Sequence, residues 1–459
     1  MMDQKGNAKE GAFNLINPNA AGIDIGSEVH YVAVPEDRAE QSIRTFSCFT
    51  ADLYRLAEWL KSCRINAVAM ESTGVYWIPL YQVLEASGFA VTLVNAKHVR
   101  HVPGRKTDVK DCRWLQQLHS YGLLSASFRP ADEICVLRGY VRHRDNIIKS
   151  RSPHIQRMQK ACIQMNIQLH KVISDITGET GLRIIRAIVA GERNPVTLAR
   201  MKNQRVKSSE EEIAAALQGD YRAEQLFVLK QELAAYDFWC GQLDECELEI
   251  KHYLTQVESQ PPTDARKGKP PRATIDPSAE QKKARRDTRG TELQRIAGVD
   301  FNAIDGFDST ISQSIIAEVG LDAGKWRTEK EFSSWLGLCP NHKITGKRVK
   351  DSRTKKVKNR ASLAFRLAAR SAGNSHSAIG AYYRRMKSRI GAPKAITATA
   401  HKLACIFYRM LKFGEQYADC GMDYYEKKYK QRVLSNLARR AKELGFTLTS
   451  AGSGTLCPE

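Results

Sequence analysis

The chain is 459 residues long and 42% hydrophobic, with 71 Lys and Arg against 50 Asp and Glu, a formal net charge of +21. That length predicts two or three domains rather than one core, and the absence of both a long apolar run and a signal-like N-terminus (MMDQKGNAKEGAFNL) predicts a cytoplasmic protein with no membrane partner. The positive excess points to a polyanion, most often nucleic acid, while eleven scattered cysteines without a CxxC pair read as reduced, mostly buried thiols.

The first domain is expected over residues 18–130. Ala21–Gly26 and Val29–Val34 alternate and are rich in β-branched residues, and Ser42–Phe49 can follow them as a third strand. Ala51–Ser62 repeats apolar residues at helical spacing through Leu53, Leu56, Ala57 and Leu60. Asn66–Met70 and Phe89–Val94 are short apolar runs that read as buried strands, with a helix over Tyr76–Ser87 stopped by Gly88. Thr107 is placed to cap a last helix, Asp108–Ser120, which Gly122 stops. The order βββαβαβα is that of a ribonuclease-H-like α/β fold, in which the first and fourth strands are neighbours.

Four carboxylates fall at telling positions in that order. Asp24 lies within the first strand and Glu71 follows the last apolar residue of the fourth, so both can reach one sheet edge. Asp108 and Asp111 are three apart, on one face of a helix that can pack over that edge. Carboxylates brought together repel unless cations hold them, and an all-oxygen set suits Mg²⁺ or Mn²⁺. Two such ions about 4 Å apart can clamp the attacking and leaving oxygens of a phosphodiester displacement. A D-x-G after a first strand also occurs in the actin, Hsp70 and sugar-kinase group, but that group needs a duplicated half and a glycine-rich adenosine loop, which are not found here. Arg105 and Lys106, after the Pro103–Gly104 turn, can grip phosphates beside the acids. Tyr76 and Trp77 after Glu71 can stack a base, with core packing as the plainer role.

Residues 131–258 read as a helical or coiled-coil insert, with amphipathic spacing over Leu137–Leu169 and Gln225–Leu254. Pro153 is expected to kink the first of these or mark a helix start. The basic residues along it, Arg138, Arg142, Arg144 and Arg157 among them, suit nucleic acid, and a structural spacer or dimer element fits equally. SSEEE at Ser208 is a helix N-terminal signature. Residues 259–290, with five prolines, nine basic residues and four acids, cannot bury a core and read as a basic flexible linker.

A mainly helical C-terminal domain is expected over residues 291–420. Gly306 with the following helix resembles a degenerate helix-hairpin-helix whose amides could hold a phosphate. Nine basic residues then fall within eighteen: Lys343, Lys347, Arg348, Lys350, Arg353, Lys355, Lys356, Lys358 and Arg360, with Asp351 the lone acid. Such a block repels itself unless a polyanion neutralises it, so nucleic-acid contact is expected there. Apolar helices over Ala361–Ala372 and Ala395–Leu411 close the core, and residues 421–459 read as helix and a disordered tail.

The stretches GIDIGS, MESTGVYW, VPGRKTDVKDCRWLQQLHSYGLL, WLGLCPNHKITGK, NRASLAFRLAA and ATAHKLACIFYRML resemble the DEDD transposases of the insertion-sequence 110/1111 family, most closely its 1111 branch. That family is similar to bridge-RNA-guided recombinases. The resemblance spans roughly residues 18–420. It implies a RuvC-like N-terminal domain whose catalytic and metal-binding tetrad is Asp24, Glu71, Asp108 and Asp111. It also implies a C-terminal domain with a serine that forms a phosphoserine intermediate on DNA. The family works as homo-oligomers, dimeric or tetrameric, with sites composed from two subunits. In such proteins a structured guide RNA pairs with donor and target DNA.

Here the sequence departs from the family, because its Ser-Gly pair reads Thr345-Gly346. A threonine hydroxyl can do the same chemistry, although its β-methyl crowds in-line attack. Thr345 acts as nucleophile, Ser352 replaces it, or strand exchange is impaired. The resulting function is that of a transposase or site-specific recombinase. The alternatives are a structure-selective nuclease of the Holliday-junction type, using the tetrad alone, and a non-catalytic DNA- or RNA-binding remnant.

Overall fold

The computed structural model describes residues 15–72, 74–95, 108–258, 288–341, 343–346, 348–351, 353–355, 357 and 359–449. They fall into two compact units, one ending at Arg129 and the other beginning at Pro130.

In the first unit, β1 (Ala20–Ile25), β2 (Val29–Ala33) and β3 (Ile43–Ser47) form an antiparallel meander. After α1 (Thr50–Ser62), β4 (Ala67–Glu71) returns to pair in parallel with β1. After α2 (Trp77–Ala86), β5 (Ala90–Val94) pairs in parallel with β4. The sheet order is β3-β2-β1-β4-β5, the ribonuclease-H-like arrangement expected from the sequence. Alternation divides the sheet's two faces. Ile23, Ile25, Val32, Val68 and Met70 join Leu53, Leu56 and Leu60 of α1 and Leu80 and Leu84 of α2 in one core. The opposite face of β1 carries Gly22 and Asp24, and α3 (Asp108–Ser120) packs on it. The bounds of α3 coincide with those expected from the sequence. Thr107, the expected cap, lies outside the described residues.

Gly22 sets the closeness of that packing. An ideal Cβ there would lie 2.3 Å from both the Cys112 carbonyl oxygen and the Gln116 nitrogen, so only glycine lets the helix backbone approach. The C-terminal end of α3 is tied down as well. Ile16 and Asn17 donate backbone N–H groups to the Ser120 carbonyl at 2.9 and 3.0 Å, and Asn17 Nδ2 donates to the His119 carbonyl at 2.8 Å. These contacts satisfy carbonyls that a helix end otherwise leaves without partners.

The second unit is helical except for one hairpin among its described residues. Two long helices, α4 (Asp132–Gln164) and α9 (Ala223–Gln256), lie alongside each other. Between them in sequence come α5 (Leu169–Val172), α6 (Glu179–Ala190), α7 (Pro195–Ala199) and α8 (Glu210–Ala216), which share a core with their inner ends. Ser209 and Glu212 form the capping box that SSEEE predicts. Pro153 neither ends nor starts a helix: α4 runs through it for 33 residues. The carbonyl that loses a donor to Pro153 belongs to Lys149, at a stretch exposed to water, where its cost is small.

The helix α10 (Thr288–Ala297) begins inside the stretch read as linker; residues 259–287 lie outside the described residues. α11 (Ser309–Val319) and α12 (Glu329–Trp335) follow. Then come β6 (Lys343–Thr345) and β7 (Arg348–Asp351), and α13 (Arg360–Ala372), α14 (Ala378–Ile390), α15 (Ala392–Phe413) and α16 (Gly421–Glu443). Phe332, Phe365 and Phe407 are fully buried and form an aromatic centre, with Phe301 stacked on Phe407 at 4.3 Å. The helical middle and the C-terminal stretch both fall in the second compact unit. The arginines of α4 explain part of that union. Arg138 donates to the carbonyls of Ala317 and Glu318 at 2.9 and 2.8 Å, and Arg142 makes a two-pronged pair with Glu318 at 2.8 Å. Arg144 pairs with Glu247 at 2.9 Å. Much of the basic face that could have met nucleic acid is therefore engaged inside the fold.

Candidate active site

The sheet register places Ile23 of β1 beside Met70 of β4. The next residue on each strand, Asp24 and Glu71, therefore stands level with the other on neighbouring parallel strands, about 4.8 Å apart and on the same face. That face is the one α3 covers, and both side chains are partly exposed. On α3 the buried stripe runs through Cys112, Leu115, Gln116 and His119. Asp108 and Asp111 continue that stripe toward the helix N-terminus, one turn before Cys112 and Leu115 respectively. Asp111 is partly exposed, and only the backbone of Asp108 is described.

The electrostatics agree with this placement. Burial first, and then the nearby Asp24 carboxylate, push the Cys112 thiol up to about 11. Burial therefore favours the neutral thiol beside the acids. The donors on offer are carboxylate oxygens, a set that fits a hard divalent cation. Among the described residues, no three Asp, Glu, His or Cys side chains form a group that could hold an ion by themselves. Asp24, Glu71 and Asp111 are brought to one end of one face rather than into a closed cage.

Two histidines in this unit are almost fully buried, His30 on β2 and His119 on α3. Among the described residues neither His30 Nδ1 nor His119 Nε2 has a hydrogen-bond partner, and burial lowers both pKa values. A folded pKa below the unfolded value means that acid favours the unfolded chain. The first unit is expected to lose stability as pH falls from about 6.5 through the lowered values, by at most about 1.4 kcal/mol per pH unit per histidine, and to be insensitive above that window. Denaturant unfolding between neutral pH and pH 5 measures this. His119→Gln should flatten the slope, and an unchanged slope would rule out that histidine as its source.

The residues around the acids divide plainly. Trp77 packs against the core edge-on to Tyr81, at 5.7 Å, whereas Tyr76 is 48% exposed. Arg105 and Lys106 lie outside the described residues.

In the second unit, Thr345 ends β6 and pairs with Arg348, and Gly346 begins the tight turn that joins the strands. Gly346 has φ +56°, as such turns require. Thr345 is exposed near the tip of this hairpin. Part of the basic block is thus a β-ribbon. Lys343, Arg348 and Lys350 lie on its strands, Arg353 and Lys355 are exposed beyond it, and Lys347, Ser352, Lys356 and Lys358 lie outside the described residues. Arg360 opens α13 and pairs with Asp145 of α4 at 3.2 Å. The hairpin escaped the sequence reading because each strand carries a single apolar residue, Ile344 and Val349; the K-I-T-G-K-R-V alternation around a glycine was its signal.

The turn at Gly306 is packed into the fold. A Cβ there would meet the Ala368 carbonyl oxygen at 2.3 Å, so the turn is pressed onto α13, and Ile304 and Phe307 beside it are buried. The glycine serves packing.

A five-stranded ribonuclease-H-like sheet with acids on β1, on β4 and on the covering helix defines the class of the DEDD nucleic-acid-processing enzymes. Comparison with protein families narrows it. Residues 21–166 match the IS110-type DEDD transposase family, and residues 300–384 match the transposase IS116/IS110/IS902 family. The chain belongs to the DEDD transposases of the IS110 type. No curated protein matches it. No helix among the described residues is long and apolar enough to cross a membrane.

Proposed function

We propose that this chain is the recombinase of an insertion sequence, which cuts and rejoins DNA with Mg²⁺ or Mn²⁺ held by Asp24, Glu71, Asp108 and Asp111. The observation that carries the reading is the level placement of Asp24 and Glu71 under the helix that bears the other two acids. Bound there, the metal would polarise a phosphodiester and stabilise the oxygens that enter and leave. Glu71 stands at the end of β4 and Asp24 within β1, so the rigid sheet fixes their separation. Gly22 lets α3 bring Asp108 and Asp111 close to that sheet.

Thr345 is the proposed nucleophile. Its Oγ1 bonds to phosphorus as a deoxyribose oxygen leaves and takes up a proton, so the phosphodiester is exchanged rather than hydrolysed. The stored ester then allows the strand to be rejoined by the reverse exchange. The exposed hairpin tip supports this role, since the hydroxyl is open to a large substrate. Lys347 and Arg348 next to it supply charge for the five-coordinate phosphorus. The exposed basic residues of the block bind the DNA backbone. The family resemblance and the +21 net charge favour a structured guide RNA as a further partner and a homo-oligomer as the working form. A cytoplasmic location goes with that reading.

Covalent trapping tests it. The protein is incubated with its own labelled donor DNA, the flanking noncoding RNA and Mg²⁺, then denatured. A protein–DNA adduct lost in both Thr345→Ala and Asp108→Ala is expected. Nicked DNA without an adduct would instead favour a nuclease that uses the acids alone. An adduct that forms only in Thr345→Ser would mark the chain as a copy impaired at its nucleophile.

A further inference from the structure

Where α14, α15 and α16 meet, a cavity of about 260 Å³ opens to the surface. Tyr382 of α14 and Lys402 of α15 form its floor. α16 adds Tyr424, Tyr425, Lys428, Tyr429 and Arg432 from one helical face. Positions 424/425, 428/429 and 432 recur at helical spacing, so the helix presents rings and cations together. The lining described holds three cations and no acid. None of Lys402, Lys428 and Arg432 forms an ion pair with a described residue. Asp423 and Glu426 of α16 are neighbours of the lining residues in sequence but do not line the cavity, and Asp419 is occupied with the Ala378 N–H at 3.1 Å and the Tyr417 hydroxyl at 3.3 Å.

The rings are arranged as surfaces rather than as a filled core. Tyr382 and Tyr425 stand at 90° with centroids 6.3 Å apart, and the Lys402 ammonium lies 4.4 Å from the Tyr382 centroid. Arg385 covers the Tyr429 ring at 3.4 Å. Tyr424, 52% exposed, keeps an open face. Partial desolvation among these rings, and then the charges of Arg432 and Lys428, lower the Lys402 pKa, so an anion arriving here relieves repulsion already present.

We propose that this cavity is a binding site for one unpaired nucleotide of a nucleic-acid strand, its phosphate held by Lys402, Lys428 and Arg432 and its base stacked on the tyrosines. Open aromatic faces beside a basic track are how proteins hold single strands, because every base has a π-face and every nucleotide a phosphate. A base inside a duplex cannot reach a ring recessed among three helices, so the site selects unpaired strand. Except for Ala378 and Tyr382, its residues lie beyond the segments that match the transposase families. Neither the four carboxylates nor Thr345 is among its lining residues. It serves equally a DNA strand opened during recombination and an unpaired stretch of RNA.

The test is binding in EDTA, so that cleavage plays no part. Short fluorescent single-stranded DNA, single-stranded RNA of the same sequence and the matching duplex are titrated with the full chain by anisotropy. Tyr424→Ala and Lys428→Ala/Arg432→Ala should each weaken single-strand binding about ten-fold, with duplex binding unchanged and Tyr424→Phe near wild type. Loss on the DNA arm, the RNA arm or both identifies the source of the strand. Photoreactive thio-substituted bases in the affected strand should crosslink to Tyr424, Tyr425 or Tyr429. Unchanged single-strand affinity in both variants, equal loss on the duplex, or crosslinks confined to other segments would overturn the proposal. These arms stand whether or not the chain cleaves DNA, so a failure of the recombinase reading is told apart from a failure of this one.

Discussion

Asp24→Asn is expected to lower Mg²⁺-dependent strand cleavage by roughly three orders of magnitude, with folding and DNA affinity unchanged. The substitution keeps the shape of the side chain and removes its charge. Asp24 is partly exposed on a strand whose neighbours Ile23 and Ile25 carry the core, so the fold has little at stake in the carboxylate. The reaction has much at stake, because Asp24 and Glu71 occupy level positions on rigid neighbouring strands and no other acid stands at that register. Glu71→Gln should behave alike. Gel-based cleavage, beside circular dichroism and DNA binding of the same variants, measures all three quantities. Cleavage within a few-fold of wild type in both variants would sink the metal-site reading, however well the proteins fold.

Gly22→Ala is the second substitution with a large expected effect. The added methyl would sit 2.3 Å from backbone atoms of α3, which cannot swing aside as a flexible side chain could. The helix must lift from β1 or the strand must bend. Overpacking of this kind costs roughly 2–3 kcal/mol. Because α3 carries Asp108 and Asp111, cleavage should fall together with stability, and added metal should restore little of it. Gly139→Ala is the contrasting change. It lies in the middle of α4 with nothing within 4 Å of the added Cβ, so it should stabilise by about 0.5–1 kcal/mol. Denaturant melts of the two variants give opposite signs if backbone proximity at Gly22 is the cause. A Gly22→Ala protein as stable as wild type would show that α3 can accommodate the methyl.

The first unit was highly legible in the sequence. Its strands alternate or run apolar for five or six residues and its helices repeat at helical spacing, so each element fell within a residue or two of its observed bounds. The positions of Asp24 and Glu71 followed from strand order alone. The rest was hidden for physical reasons. The β6–β7 hairpin has too few apolar residues to show a period. Pro153 reads as a break, yet the packing of α4 along α9 and α11 overrides the loss of one hydrogen bond. Charge counts cannot show that Arg138, Arg142 and Arg144 are turned to Glu318, Glu247 and helix-end carbonyls, because those partners lie over a hundred residues away in sequence. The tyrosine cavity was equally invisible, since α16 by itself reads only as a polar helix.

The order of the sheet bears on how this enzyme comes into being on the ribosome. β1 is the first strand made, yet it sits in the middle of the sheet, flanked by β2 on one side and β4 on the other and roofed by α3. The hairpin partners arrive within a dozen residues, but β4 and then α3 emerge much later. Until α3 is released, β1 shows a bare face with a glycine at its centre, and the nascent chain holds a half-built sheet. Contacts so distant in sequence form slowly, because a long loop must close before they stabilise anything. A ribosome that stalls before Asp108 therefore leaves a chain lacking two of the four acids of the proposed site, and any cleavage that depends on them waits until the first unit is whole.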